Sequence, residues 1–161
     1  MAEAGCAVGT RIARTDGLPK VQGTDRFGAD HAPEGALWMR AVRSPHARAR
    51  FTLGDLAAVK AAHPGLEAIL TAADIPGANS FGIFPTIKDQ PVLAPGFVRY
   101  RGEAILALVG TREAVEGIAD AALPITWELE PALIGVEAAL AQGATPLHAN
   151  IPDNVLTRGY L

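Results

Sequence analysis

Cysteine is almost missing from this sequence: Cys6 stands alone among 161 residues. A disulfide framework is thereby excluded, and a reducing compartment is the easier reading. Positive charge is not in excess either. The formal net charge is -3, which gives no general attraction to a phosphate backbone, so nucleic acid is not an expected partner. No window approaches the ~18 apolar residues that a membrane helix requires. The opening MAEAGCAVGT puts small residues before a cysteine but supplies neither a basic n-region nor an apolar h-region. These absences together predict a soluble, cytoplasmic chain with no signal peptide and no membrane partner.

Catalytic patterns are missing as well. His31, His46, His63 and His148 fall in separate segments without metal-ligand spacing, and read as four unrelated surface histidines. No Gly-x-Gly-x-x-Gly opens a helix and no phosphate loop is present. Cys6 has no evident base beside it. The carboxylates lie on loops and caps, outside any apolar run that could tune a general acid by burial. The sequence therefore assigns no catalytic, no cofactor-binding and no metal-ligating residue.

What is present is a globular composition, 19% charged and 49% hydrophobic, enough for one domain with arms. Residues 1–34 read as an extended arm punctuated by Gly, Pro and Asp. Their Arg11, Arg14, Lys20 and Arg26 are interleaved with acids, which favours an arm laid over another surface above a phosphate-binding tail. The domain proper is expected over 35–145, with 146–161 a patternless tail or linker.

The centre of that domain is strand 103–110, because Ala104 to Val109 is uninterrupted hydrophobe and asks to be covered on both faces. Gly102 before it suggests a bulge or a positive φ, where a larger side chain meets both strain and a clash. Residues 36–43 alternate as a strand, and Arg48 and Arg50 mark the wet side of a second. Asp55 is placed to cap a helix whose inner stripe is Leu56, Val59 and Ala62, stopped by Pro64-Gly65. Leu66 to Leu70 follows as a buried strand, so the unit suits a right-handed crossover between parallel strands. Thr111 opens TREAVEGIADAAL, a helix with the stripe Val115, Ile118, Ala119 and Ala122, and Gly117 inside it suggests a close neighbour. A strand at 125–129 and a helix from Val136 to Gln142, ended by Gly143, complete the pattern. The long loop 71–98 carries Phe81, Ile83, Phe84 and Ile87 without a period. They either form a patch held by a partner or fold back onto the domain's own sheet.

Several short motifs recur in one order. They are Gly9…Arg14-x-Asp16-Gly17…Lys20-Val21-x-Gly23…Phe27…Asp30, Arg43-Ser44-Pro45-His46-Ala47, and Thr71-Ala72-Ala73-Asp74-Ile75-Pro76-Gly77-x-Asn79…Gly82. Asp89-Gln90-Pro91-Val92-Leu93-Ala94, Val98-Arg99-Tyr100-x-Gly102-Glu103 and Asn154-Val155-Leu156 follow. In this order and spacing, over residues 9–156, the chain resembles the molybdenum-binding subunit of the xanthine dehydrogenase and aldehyde oxidase family, at its N-terminal part. Arg48 stands where many members have a second histidine, and Ile134-Gly135 replaces the usual acidic turn after Glu130-Pro131.

The resemblance implies the α+β fold called the α/β-hammerhead: a mixed sheet, two to three helices and an extended N-terminal arm. It implies a non-catalytic structural and assembly role, as a domain or small subunit of a molybdenum hydroxylase acting on aldehydes or N-heterocycles. A free-standing interaction module without enzymatic role is the alternative. The family's molybdopterin contacts and essential glutamate lie beyond the hammerhead, so no cofactor is expected on this chain. The complete enzyme is expected to carry molybdopterin with molybdenum, iron–sulfur clusters, and FAD or another acceptor. The implied partners are the molybdopterin-binding domains or subunit, together with the iron–sulfur subunit.

Overall fold

An apolar run with no polar alternation can be buried on both sides only in the middle of a sheet. The computed structural model, which describes Gly9 and residues 11–83 and 87–159, places the run there. Strand β5 (Ala104–Gly110) lies between β1 (Trp38–Arg43) and β3 (Leu66–Leu70), antiparallel to both. A second three-stranded sheet has β2 (Ala49–Leu53) at its centre, flanked by β4 (Phe97–Val98) and β6 (Ile125–Leu129), again antiparallel. The core cluster draws on both sheets, with Val42, Phe51, Val98, Leu106 and Leu108 among its members. Each such side chain contributes about 1.5–3 kcal/mol on burial.

The chain divides into two compact units, Met1–Ala36 and Leu37–Leu161. In the first, α1 (Gly17–Gln22) is a short helix where an extended arm was expected. Pro19 is tolerated in its first turn, and Gly23, at φ +68, closes it in the left-handed region. Two of the basic groups here are spent locally: Arg14 and Lys20 both hold Asp16, which keeps that carboxyl below its usual range.

In the second unit, helix α2 (Leu56–Ala62) starts as expected, with the Asp55 carboxylate accepting from the Ala58 amide. Leu56 and Val59 pack on the core, while Ala62 is exposed. The parallel crossover does not form, because β2 and β3 join different sheets. Two close backbone approaches explain the allocation. Gly110 lets β3 run against β5, where a Cβ would meet the Gly65 carbonyl oxygen at 2.2 Å. Gly54 lets β2 end against Pro124, its amide donating to the Pro124 carbonyl at 2.7 Å. Strand β3 is also an edge and only partly buried, with Glu67 and Leu70 exposed.

Helix α3 (Arg112–Gly117) begins at its Thr111 cap but is only six residues long. Its end is set from far away in sequence. The Arg40 guanidinium on β1 donates to the Val115 carbonyl at 3.0 Å and to that of Ile118, and pairs with Asp120. With those carbonyls taken, Ile118 turns extended, and Ala119 and Ala122 are exposed instead of forming a stripe. The neighbour expected at Gly117 is absent: a Cβ there would meet nothing within 4 Å. Helix α4 (Val136–Leu140) also stops short of Gln142, and Gly143 follows at φ +80.

Entry into β5 is built by a turn locked to the Arg43-Ser44-Pro45 corner. The Gly102 amide donates to the Ser44 carbonyl, and the Ser44 amide to that of Glu103, each at 2.9 Å. Gly102 has φ +95, as its position suggested, but a Cβ would find open space. The expected clash is therefore absent and only backbone strain remains. Gly102→Val is expected to lose about 1–3 kcal/mol in a denaturant titration. A loss under a few tenths would mean the turn relaxes without strain.

The irregular stretches are pinned by two asparagines. The Asn79 side-chain carbonyl accepts from the Val92 and Leu93 amides at 2.9 and 3.1 Å, and its amide donates to the Leu93 carbonyl at 2.7 Å. In the tail, where no pattern was legible, Asn154 adopts φ 56. Its side chain accepts from the Leu147 amide at 2.8 Å and donates to the Ala139 carbonyl at 3.0 Å.

Candidate functional site

Several charged and polar side chains of the larger unit line one cleft of about 310 Å³. The corner Asp89-Gln90-Pro91 forms one wall, and the turn Arg99 to Glu103 the second. Leu147 and His148, from the turn held by Asn154, close the third. Two neighbouring motifs are thus joined by a segment more than forty residues further along the chain.

Glu103 is the most buried group there, only 1% exposed although it flanks an apolar run. This corrects the expectation that no carboxylate is placed where burial could act on it. Its side chain accepts from the Arg99 backbone amide with one oxygen and from the Arg99 guanidinium at 2.8 Å with the other. The guanidinium also lies 5.6 Å from the centre of the Phe97 ring. Both oxygens are thus engaged within one turn, which makes the pair a clamp and leaves no lone carboxylate for proton transfer.

His148 is not an unrelated surface histidine. It faces this cleft, and burial, followed by the nearby Arg99 charge, pushes its pKa below the usual value, while Asp89 and Glu103 pull it back up. The folded state thus favours neutral His148, and the unfolded chain binds the proton more readily. Stability is expected to fall as pH drops below about 6.5, because protonation begins first in the unfolded state. His148→Gln should flatten that slope in denaturant titrations at pH 7.5 and 5.5. A variant with an unchanged slope would remove His148 from the pH response.

The remaining histidines are scattered as expected. His46 stands edge-on to Trp127 at 5.0 Å, and His63 bonds the Val59 carbonyl at 2.8 Å. Among the described residues no three His, Cys, Asp or Glu side chains gather as metal ligands. Cys6 lies outside those residues. Arg48 is buried instead of marking a wet strand face: it pairs with Glu130 at 3.0 Å, and exposed Arg50 takes the other carboxylate oxygen at 3.0 Å. On the long loop, Phe81 forms a bridge with Gln90 yet stays half exposed, and Ile83 is 96% exposed. Ile87 is half-buried, and Phe84 lies outside the described residues.

Residues 22–131 match the family described as aldehyde oxidase and xanthine dehydrogenase, a/b hammerhead domain. The chain belongs to this family. It is 34% identical over 144 residues to the nicotinate dehydrogenase large molybdopterin subunit of Eubacterium barkeri, covering 89% of this chain and 33% of that one. It is 30% identical over 144 residues to the xanthine dehydrogenase molybdenum-binding subunit of Escherichia coli O157:H7, covering 84% of this chain and 19% of the relative. The solved aldehyde oxidoreductase of Desulfovibrio desulfuricans superposes with a TM-score of 0.74 at 26% identity, over 89% of this chain and 17% of that one. The chain thus spans from 8% to 33% of the length of the curated relatives it matches. It is a hammerhead domain of the molybdenum hydroxylase family, and the α+β class read from its sequence holds.

The polar cleft does not suit a molybdopterin. Its guanidinium is paired with Glu103, Asp89 is an acid, and burial lowers the pKa of His148, so the cleft offers little positive charge to the phosphate such a cofactor carries. Among the described residues no helix is long and apolar enough to cross a membrane.

Proposed function

We propose that this chain is a non-catalytic structural and assembly component of a cytoplasmic molybdenum hydroxylase that acts on aldehydes or N-heterocycles. The observation that carries the reading is the hammerhead match over residues 22–131, in a chain that spans 19% of a relative named as a molybdenum-binding subunit. A second support is that the buried charges are consumed internally, Glu103 by Arg99 and Arg48 by Glu130. Such pairs hold a scaffold together, and neither carboxylate in them stands free as an acid or base. The molybdopterin and its molybdenum belong, in this reading, to the partner domains, with iron–sulfur clusters and FAD or another acceptor carrying electrons onward.

The test is to purify the chain alone and again after co-expression with the molybdopterin-binding polypeptide of the same enzyme. The expected result is no dye reduction with aldehyde or purine by the chain alone, and a stable one-to-one complex that turns over. Stoichiometric molybdenum and turnover in the isolated chain would overturn the reading.

A further inference from the structure

The two faces of the sheet β1-β5-β3 are unequal. Side chains alternate along a strand, so register assigns Val42, Leu106, Leu108 and Ile69 to one face, and these pack in or against the core. Between the two register shifts the other face carries Met39 and Ala41 from β1, Ala107 and Val109 from β5, and Ala68 and Leu70 from β3, with exposed Arg43 and Glu67 at its borders. None of these six belongs to the core cluster, not even Ala107, which its neighbours close over to 5% exposure. Met39 is 68% exposed and Leu70 36%, while Ala41, Ala68 and Val109 are half-buried. An antiparallel face turned to water ordinarily shows polar residues at these alternate positions. Here all six are apolar.

We propose that this face is the seat of one α-helix from the molybdopterin-binding part of the same enzyme. The proposal rests on the assembly role above and gives it a surface. The dimensions fit one helix. Strands ~4.8 Å apart put the outer two about 10 Å apart, and a helix with its side chains is about 10–12 Å across. The relief fits as well. The paired rows Ala41–Ala107–Leu70 and Met39–Val109–Ala68 make a shallow floor with a bulky residue at two opposite corners. Such a floor admits the Leu, Ile or Phe stripe of an apolar helix. A second copy of the same face fits worse, because alanine opposed to alanine at the ~10 Å spacing of packed sheets leaves a void. The required sequence exists in relatives: this chain spans 19% of the Escherichia coli molybdenum-binding subunit, so most of such a subunit lies outside the matching segment.

The test uses the full chain co-expressed with the molybdopterin-binding polypeptide. A photo-crosslinking benzoylphenylalanine is placed at Met39, and Ala68→Lys is made separately. The crosslink is expected to map to a helical segment of that polypeptide, and Ala68→Lys to weaken the complex at least tenfold while the free chain melts unchanged. Met39→Lys, at an exposed position, serves the same purpose if Ala68→Lys fails to fold. A complex that forms at full affinity with either lysine variant and gives no crosslink overturns the surface and leaves the assembly role standing. Crosslinks between two copies of this chain overturn the helix as occupant. Failure of the unmodified chain to form any complex removes the assembly role itself, and this proposal with it.

Discussion

Glu103→Ala is expected to lower the stability of the chain by about 3–5 kcal/mol, the cost of breaking a buried ion pair from one side. Removing the carboxylate leaves the Arg99 guanidinium, four-fifths buried, without an anionic partner among the described residues. Its Nε already lacks a hydrogen-bond acceptor in the intact protein. The Arg99 backbone amide loses its acceptor at the same time. The charge is what decides, because two neutral hydrogen bonds alone would be worth about 1–3 kcal/mol. In a thermal melt the loss reads as roughly 10 °C for a chain of this length. Arg99→Met combined with Glu103→Leu should recover part of the loss, because it removes the stranded charge along with its partner. Single and double variants melting alike, within about a degree of the unmodified chain, would show that water reaches the pair and that the clamp is only a surface contact.

Glu103 also marks the limit of what the sequence makes legible. The six-residue apolar run after it betrays the central strand, since such a run is best buried between two neighbours, and β5 is that strand. Local caps were equally legible: Asp55 and Thr111 both accept the amide bond their positions promised. What the sequence hides is every decision made by a distant partner. Glu103 reads as a polar corner until Arg99 is seen folded over it. Helix α3 reads as running on to Leu123, well past its end at Gly117, because the Arg40 side chain that takes its last carbonyls lies 78 residues before Ile118. The strand–helix–strand pattern at 48–71 is correct locally, and its parallel crossover fails because β3 pairs with β5 in a different sheet from β2. His148 could not be placed in the cleft from a tail without periodicity. The signal that could have placed it is Asn154, a residue able to adopt the left-handed region and to bond the turn before it. The fold class, by contrast, needs no tertiary information: the family match agrees with what the motif order implied.

Gly110 gives the sharpest test of the pairing that replaced the crossover. Its backbone is not in the left-handed region, and within a strand glycine to alanine at such a position usually stabilises by about 0.4–1 kcal/mol through the unfolded chain. Gly110→Ala is expected to do the opposite. Its Cβ would lie 2.2 Å from the Gly65 carbonyl oxygen and 2.9 Å from Leu66 Cα, both backbone atoms of the segment entering β3. No rotamer change relieves a contact with backbone, so the two strands must separate. The same carbonyl accepts from the Thr111 amide at 2.9 Å, and its displacement weakens the start of α3 as well. An overpacking cost of about 1–3 kcal/mol, or more, therefore outweighs the entropic gain. Gly117→Ala supplies the control, because it ends a helix with no positive φ and nothing within 4 Å of a Cβ. That variant should gain a few tenths to about 1 kcal/mol. If both substitutions stabilise the chain, β3 does not run against β5 at Gly110, and the antiparallel register of this sheet is wrong.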